Sequence, residues 1–217
     1  MTEKKGAAKR TGLFGGTFSP PHEGHVRAAR LFIDAMGLDR LIVMPAGFPP
    51  HKPLPDGAAD GDRLEMARRA FGAFAEVFDW EIKRGGKSYT VDTLRMLREK
   101  YPGDRFYMLI GEDMLESFGL WRSPAEIAKL AAVCYMRRNA SGRLCAAEDE
   151  FERICGCRPV FIGAEPLVVS STEIREKLNA GQKPDALATS VYEYIKENGL
   201  YHDRNNGENA RGAERES

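Results

Sequence analysis

Six short apolar runs alternate with segments of helical period along this chain, and that alternation most restricts its fold. The runs are Thr11 to Phe14, Arg40 to Pro45, Val77 to Lys83, Arg105 to Ile110, Ala132 to Met136 and Pro159 to Gly163. Between them, Val26, Ala29, Ile33 and Met36, and then Leu64, Ala67, Phe71 and Phe74, recur at spacings that bring them to one side of a helix. Strands joined by helical crossovers run parallel, and such sheets are covered on both faces. The pattern therefore predicts an α/β fold, a Rossmann-like doubly wound parallel sheet flanked by helices in a single domain. With 217 residues the chain is long enough for one such domain and too short for two of typical size with a linker. We assign the domain to residues 11–201. A polar, basic segment at 1–10 and an Asn-, Gly-, Arg- and Glu-rich segment at 202–217 are expected to be mobile tails.

Charge narrows the partners. Lysines and arginines balance aspartates and glutamates at a formal net charge of zero, which argues against the basic stripe that grips nucleic acid. A local cationic pocket for a small phosphorylated ligand remains compatible with that balance. No apolar run approaches the roughly 18 to 20 residues that span a bilayer, and no apolar signal core follows Lys4-Lys5, so no membrane association and a cytoplasmic location are expected. Cys134, Cys145, Cys155 and Cys157 have neither disulfide-framework nor thioredoxin-like spacing and read as reduced thiols, with Cys134 buried in a strand. The chain contains no Gly-x-Gly-x-x-Gly and no Walker-type Gly-Lys-Ser/Thr, which removes the usual dinucleotide dehydrogenases and P-loop phosphotransferases.

The chemistry concentrates in Gly15-Gly16-Thr17-Phe18-Ser19-Pro20-Pro21-His22-Glu23-Gly24-His25, which follows the first apolar run and opens an amphipathic helix. Free N–H groups and the helix dipole make such a junction an anion site. Gly15 and Gly16 allow a sharp turn and a close backbone approach to a ligand. His22 and His25, three residues apart, project toward one side if both enter the first helical turn. The pair is also half of a zinc ligand set, but structural zinc needs four ligands and the cysteines lie far off. Downstream, Ser170 reads as an N-cap with Glu173 as its capping-box partner, and Thr172 and Arg175 lie one turn apart on the helix that follows. The ends of parallel strands ring the ligand crevice. Gly111-Glu112-Asp113 and Arg137-Arg138, after the fourth and fifth runs, should therefore edge the same crevice as the histidines. The Pro-rich stretch from Ala46 to Asp62 is long for an α/β connection and is either a substrate loop or disordered; His51 and Lys52 favour the former.

Two of these segments resemble the signatures of the nucleotidyltransferase superfamily: the Gly-rich turn with His-x-x-His, and Ser170-Ser171-Thr172-Glu173-Ile174-Arg175. Further stretches are similar to the bacterial nicotinate mononucleotide adenylyltransferases. They are Pro49-Pro50-His51-Lys52, Glu81-Ile82-Lys83-Arg84 with Ser88-Tyr89-Thr90, Ile110-Gly111-Glu112-Asp113, Leu120-Trp121-Arg122, and Tyr194-Ile195 with Gly199-Leu200-Tyr201. The resemblance implies transfer of AMP from ATP to nicotinate mononucleotide, giving nicotinate adenine dinucleotide and pyrophosphate, with Mg²⁺ carried by ATP and no metal site of the protein's own. It implies that His22, His25 and Arg175 carry catalysis and that Gly15, Gly16, Thr17, Phe18, Gly111, Asp113, Arg138, Ser171 and Thr172 surround ATP. Asp113 would meet ribose hydroxyls or the magnesium-bound phosphates. Lys52, Thr90, Trp121 and Arg122 would hold nicotinate mononucleotide, with Trp121 on the pyridine ring, Thr90 and backbone N–H groups near Trp121 and Arg122 on the carboxylate, and Lys52 on the mononucleotide phosphate or the triphosphate. Tyr89 and Trp80 read as packing, and Arg63 as a helix-starting surface residue.

Three positions depart from the family pattern: Ser19 replaces an Asp or Asn, Asn139-Ala140-Ser141 follows Arg137-Arg138 where relatives have Pro-Gly, and Arg122 replaces an aromatic residue. Within the same chemistry the alternative acceptor is nicotinamide mononucleotide or another phosphorylated compound. From a different class, the alternative is a non-catalytic nucleotide-sensing module, against which the paired histidines argue.

Overall fold

Parallel pairing through every neighbouring strand builds one six-stranded sheet in the order β3-β2-β1-β4-β5-β6. This computed structural model describes residues 8–48, 57–136, 144–163 and 169–202. Its strands are β1 (Arg10–Gly16), β2 (Arg40–Pro45), β3 (Glu76–Val77), β4 (Arg105–Gly111), β5 (Ala132–Met136) and β6 (Val160–Phe161). The helices are α1 (Glu23–Met36), α2 (Asp60–Phe71), α3 (Trp80–Arg84), α4 (Thr90–Lys100), α5 (Glu112–Glu116), α6 (Pro124–Leu130), α7 (Leu144–Cys155), α8 (Ser171–Asn179) and α9 (Thr189–Glu197), with a 3-10 turn at Phe118–Leu120. Arg10, expected in the N-terminal tail, instead opens β1 opposite Arg105. Residues 1–7 and 203–217 lie outside the described residues.

Alternation along each strand divides the core. Leu13, Ile42, Met44, Met108, Ile110, Val133 and Tyr135 face one side, where Val91, Leu94 and Leu97 of α4, Ile127 of α6 and Phe151 of α7 cover them. Phe14, Leu41, Val43, Leu109 and Cys134 face the other, under Ala29 and Phe32 of α1 and Ala67 and Phe71 of α2. Both faces are covered, as the near-continuous apolar runs require. A third cluster joins Met66 of α2 to Ile174, Leu178, Val191, Ile195, Leu200 and Tyr201, so the C-terminal helices dock on α2.

Two of the expected strands are shorter than their sequence runs. Of Val77 to Lys83 only Val77 belongs to the two-residue β3 before the chain turns into α3, where Lys83 closes a 2.9 Å ion pair with Asp79. The apolar residues that suggested a continuing strand, Phe78 and Trp80, pack on the first core cluster instead. Pro159 to Gly163 yields only β6, an exposed edge strand.

Order reverses between β1 and β4, the strands that lead away to opposite halves of the sheet. The pairs Gly16–Pro45 and Gly111–Met136 end level, and β1 and β4 run in register through Phe14–Leu109. Four strands thus finish on one rim, and the switch point beneath it is where ligands bind in such sheets.

Candidate active site

The turn after β1 is built around a side chain pointing down. Phe18 is buried and holds a left-handed backbone conformation (φ 50°), unfavourable for a bulky residue and found where surrounding structure enforces it. Its ring packs edge-on against Phe14 and Phe71, at 5.5 and 5.3 Å between centroids. A Cβ on Gly16 would lie 2.8 Å from the Phe18 ring, so glycine there makes room for the phenylalanine. Gly15 is open above: a Cβ would meet only the Met44 carbonyl, at 4.0 Å. Of the two glycines expected to clear space for a ligand, Gly16 has a packing reason of its own, while Gly15 leaves room at the strand end.

His22 caps α1 in extended conformation and is buried, and His25 sits one turn in. Their rings stack 3.7 Å apart at 27°. The His22 backbone N–H donates to His25 Nδ1 at 3.3 Å. Since that nitrogen accepts, a neutral His25 carries its proton on Nε2, which makes Nε2 a donor. Phe18 supports the same ring edge-on at 5.3 Å. Stacked planes do not converge their nitrogens on one ion, and among the described residues no group of three or more His, Cys, Asp or Glu side chains is arranged for a metal.

Arg175 comes to this turn from 156 positions away. Its Nη1 donates to the Ser19 carbonyl at 2.8 Å and its Nη2 to Thr172 Oγ1 at 3.1 Å. Ser170 caps α8, its hydroxyl accepting from the Thr172 N–H at 3.2 Å, and Ser171 is the first helical residue. Ser19, the position that departs from the family pattern, shares a 2.9 Å hydrogen bond with the Tyr201 hydroxyl. Burial pushes that phenol up to about 12, so it stays protonated at neutral pH. Arg175 and Tyr201 thus hold the turn in this chain. Glu23 N donates to the Ala186 carbonyl at 2.9 Å and ties the start of α1 to the C-terminal region as well.

At the rim of β4, Gly111 caps α5, Glu112 is buried and Asp113 is exposed. Farther out, Thr90 is the first residue of α4, after Tyr89 at its N-cap. The Arg122 guanidinium lies over the Tyr89 ring at 4.7 Å and stands 3.7 Å from Asp92, so Thr90 and Arg122 border one surface. Trp121 is partly buried beside Phe118, with centroids 5.1 Å apart. Lys52 and Arg138, with Arg137, lie outside the described residues.

Sequence reasoning missed several residues. Arg63, read as a surface residue, has 0% of its area exposed. Its Nη1 donates to Thr17 O at 2.8 Å, and its Nη2 to Ala46 O at 2.6 Å and Asp60 Oδ1 at 2.7 Å. The available signal was position: Arg63 lies three and four residues before Met66 and Ala67, on the inward stripe of α2. Glu81 is also buried. Burial raises its carboxyl above the ordinary range, against the lowering effect of hydrogen bonds from Thr93, at 2.5 Å, and Ser88.

Residues 13–177 match the cytidylyltransferase-like family model. A relative from Chlorobaculum parvum, named "Probable nicotinate-nucleotide adenylyltransferase", is 38% identical over 88% of this chain and 98% of its own. One of the same name from Gloeobacter violaceus is 39% identical over 89% and 96%. Among solved structures, the nicotinic acid mononucleotide adenylyltransferase of Plasmodium falciparum complexed with NaAD superposes with a TM-score of 0.66 at 16% identity, over 89% of this chain and 97% of that one. That likeness shows the doubly wound fold. With the family model covering most of the domain and relatives this similar along almost their whole length, the chain belongs to the nicotinate-nucleotide adenylyltransferase family.

Proposed function

We propose that the protein transfers the adenylyl group of MgATP to nicotinate mononucleotide, releasing pyrophosphate and nicotinate adenine dinucleotide. One observation carries the reading: Arg175 bonds the Ser19 carbonyl in the turn that leads from β1 to the stacked histidines, beside the switch point of the sheet. In this reaction an oxygen of the acceptor phosphate attacks the α-phosphorus in line, and the bond from that phosphorus to the bridging oxygen of pyrophosphate breaks. No protein nucleophile is needed. Catalysis is positioning plus neutralisation of charge as two polyanions meet. His25 Nε2 and His22 serve the α- and β-phosphates, Arg175, Ser171 and Thr172 the β- and γ-phosphates, and Gly15, Gly16, Thr17, the backbone of Phe18 (its ring being buried), Gly111 and Asp113 the rest of the ATP surface, which Arg138 completes. Mg²⁺ enters as part of the substrate, held by phosphates and water.

The acceptor rests at the start of α4, where Thr90 and backbone N–H groups near Trp121 and Arg122 take its carboxylate, Trp121 faces its ring and Lys52 meets its phosphate or the triphosphate. A cytoplasmic location belongs to the same reading; among the described residues, no helix is long and apolar enough to cross a membrane. Pyrophosphate release measured with ATP, Mg²⁺ and a panel of phosphorylated acceptors tests the proposal. Turnover is expected to be highest with nicotinate mononucleotide. Preference for nicotinamide mononucleotide reassigns the acceptor, and no pyrophosphate with any acceptor leaves a nucleotide-sensing module.

A further inference from the structure

A guanidinium with no exposed surface is an expensive way to fill space, because a hydrophobic side chain of similar volume would serve packing at least as well. Arg63 is such a group. One nitrogen of its fork bonds the turn that follows β1, at Thr17 O, and the other bonds the chain that leaves β2, at Ala46 O, with Gly47 O at 3.4 Å. Asp60 supplies the countercharge from the first turn of the same helix, and among the described residues Nε has no hydrogen-bond partner.

The segment that Arg63 grips continues toward the acceptor surface. Gly47 N donates to Ser88 Oγ at 3.1 Å, Ser88 N donates to Phe48 O at 2.8 Å, and Phe48 bridges to Lys87 in parallel. A Cβ on Gly47 would lie 2.7 Å from the Glu81 carbonyl, so this strut is pressed against α3. Ser88 stands two positions before Thr90, and Glu81, bonded by Thr93, ties the strut to α4. A continuous hydrogen-bonded path therefore runs from Thr17 through Arg63, Ala46–Gly47 and Ser88 to the beginning of α4.

We propose that Arg63 is a positioning residue that sets the separation between the ATP turn and the acceptor wall, and so brings the attacking phosphate into line with the α-phosphorus. This rests on the adenylyltransferase reading above. Arg63 has no exposed surface with which to touch either substrate. Its effect is exerted through the Thr17 and Ala46–Gly47 carbonyls, which the planar fork reaches with two nitrogens at a fixed separation, whereas an ammonium offers a single nitrogen on a flexible stem.

The test is Arg63→Lys, which keeps the charge and removes the fork. Turnover is measured with both substrates saturating and divided by the concentration of folded protein from an ATP-binding titration. Misplacement by about 1 Å is enough to lower turnover about 10²-fold, and a loss of at least ~10-fold is expected, with the ATP dissociation constant within about 3-fold of wild type. Equal turnover per folded molecule would overturn the proposal, since a structural role changes only yield and stability. Parallel losses in turnover and ATP affinity would also overturn it, because the residue would then act on ATP binding. If Arg63→Lys does not fold, Asp60→Asn decides: it leaves the guanidinium in place with one anchor weakened, and a several-fold loss of turnover at unchanged ATP affinity is required. The wild-type protein is assayed alongside. Absence of pyrophosphate there defeats the reaction assigned, whereas a wild-type enzyme that turns over beside an equally active variant defeats only the role of Arg63.

Discussion

The two ends of the candidate site are built differently. At the end proposed for the phosphates, Ser19 meets residues 156 and 182 positions away through hydrogen bonds of 2.8 and 2.9 Å, beside a buried His22 and a buried Arg63. At the end proposed for the acceptor, Arg122 is half exposed, contacts Asp92 at 3.7 Å and lies over Tyr89, while Leu120 beside Trp121 is 80% exposed. Surface ion pairs of that kind contribute little, about 0 to 1 kcal/mol. The contrast suits the chemistry proposed. Donors that stabilise developing charge must be fixed before the reaction begins, because reorganising them would add to the barrier. A flat ring and a carboxylate need a surface and a few donors, and those can tolerate motion.

The largest expected effect is at the rigid end. Replacing His25 by Ala removes a donor whose tautomer and tilt are set by the His22 N–H and by Phe18. Turnover should fall by about 10² to 10³-fold, the range for losing one preorganised transition-state donor. ATP affinity should change by less than ~5-fold, because an interaction realised mainly in the transition state lowers kcat rather than ground-state binding. Equal losses in both would mean that this end binds ATP without acting on the reaction, and the contrast between the ends would lose its meaning.

At the open end, Trp121→Ala should raise the acceptor KM several-fold, up to about 10-fold, as loss of an aromatic face worth about 0.5 to 1.5 kcal/mol implies. The ATP KM should hold. Part of the indole packs against Phe118, so some loss of thermal stability is expected as well. A fall in kcat with the acceptor KM unchanged would show that the ring supports the fold alone.

What the sequence made legible follows the same division between local and distant. The sheet was readable because each strand's apolar run is a local pattern. The Gly15–His25 turn was readable because its glycines and histidines are contiguous. β3 misled because Phe78 and Trp80 continue an apolar pattern past Val77, where the strand has already ended, and Trp80 opens a helix. Arg63, Tyr201 and Glu81 were illegible for another reason: what makes each of them matter is a partner far along the chain or the burial itself. A lone arginine on a helix is usually exposed, and only its place on the inward stripe of α2 hinted otherwise. Ser19 could be seen to depart from its relatives, but its partner across 182 residues could not.

The smallest expected effect concerns Glu81, which lies where the acceptor wall joins the strut from the phosphate end. Burial raises its carboxyl in the folded protein above the ordinary value of 4.5. Between that ordinary value and the raised one, the folded state binds more protons than the unfolded state, so its contribution to stability is complete below the ordinary value and is lost as pH rises through the raised one. Glu81→Gln cannot titrate and keeps an acceptor for the Thr93 hydroxyl. The variant should therefore gain in stability relative to wild type as pH rises from about 4 toward neutrality, measured as the difference in urea midpoint at matched slope. A difference that stays flat across that range would show that Glu81 is charged and fully compensated in the fold. The junction between the two ends would then be an ionic one, as rigid as the phosphate end, and the contrast would stop short of it.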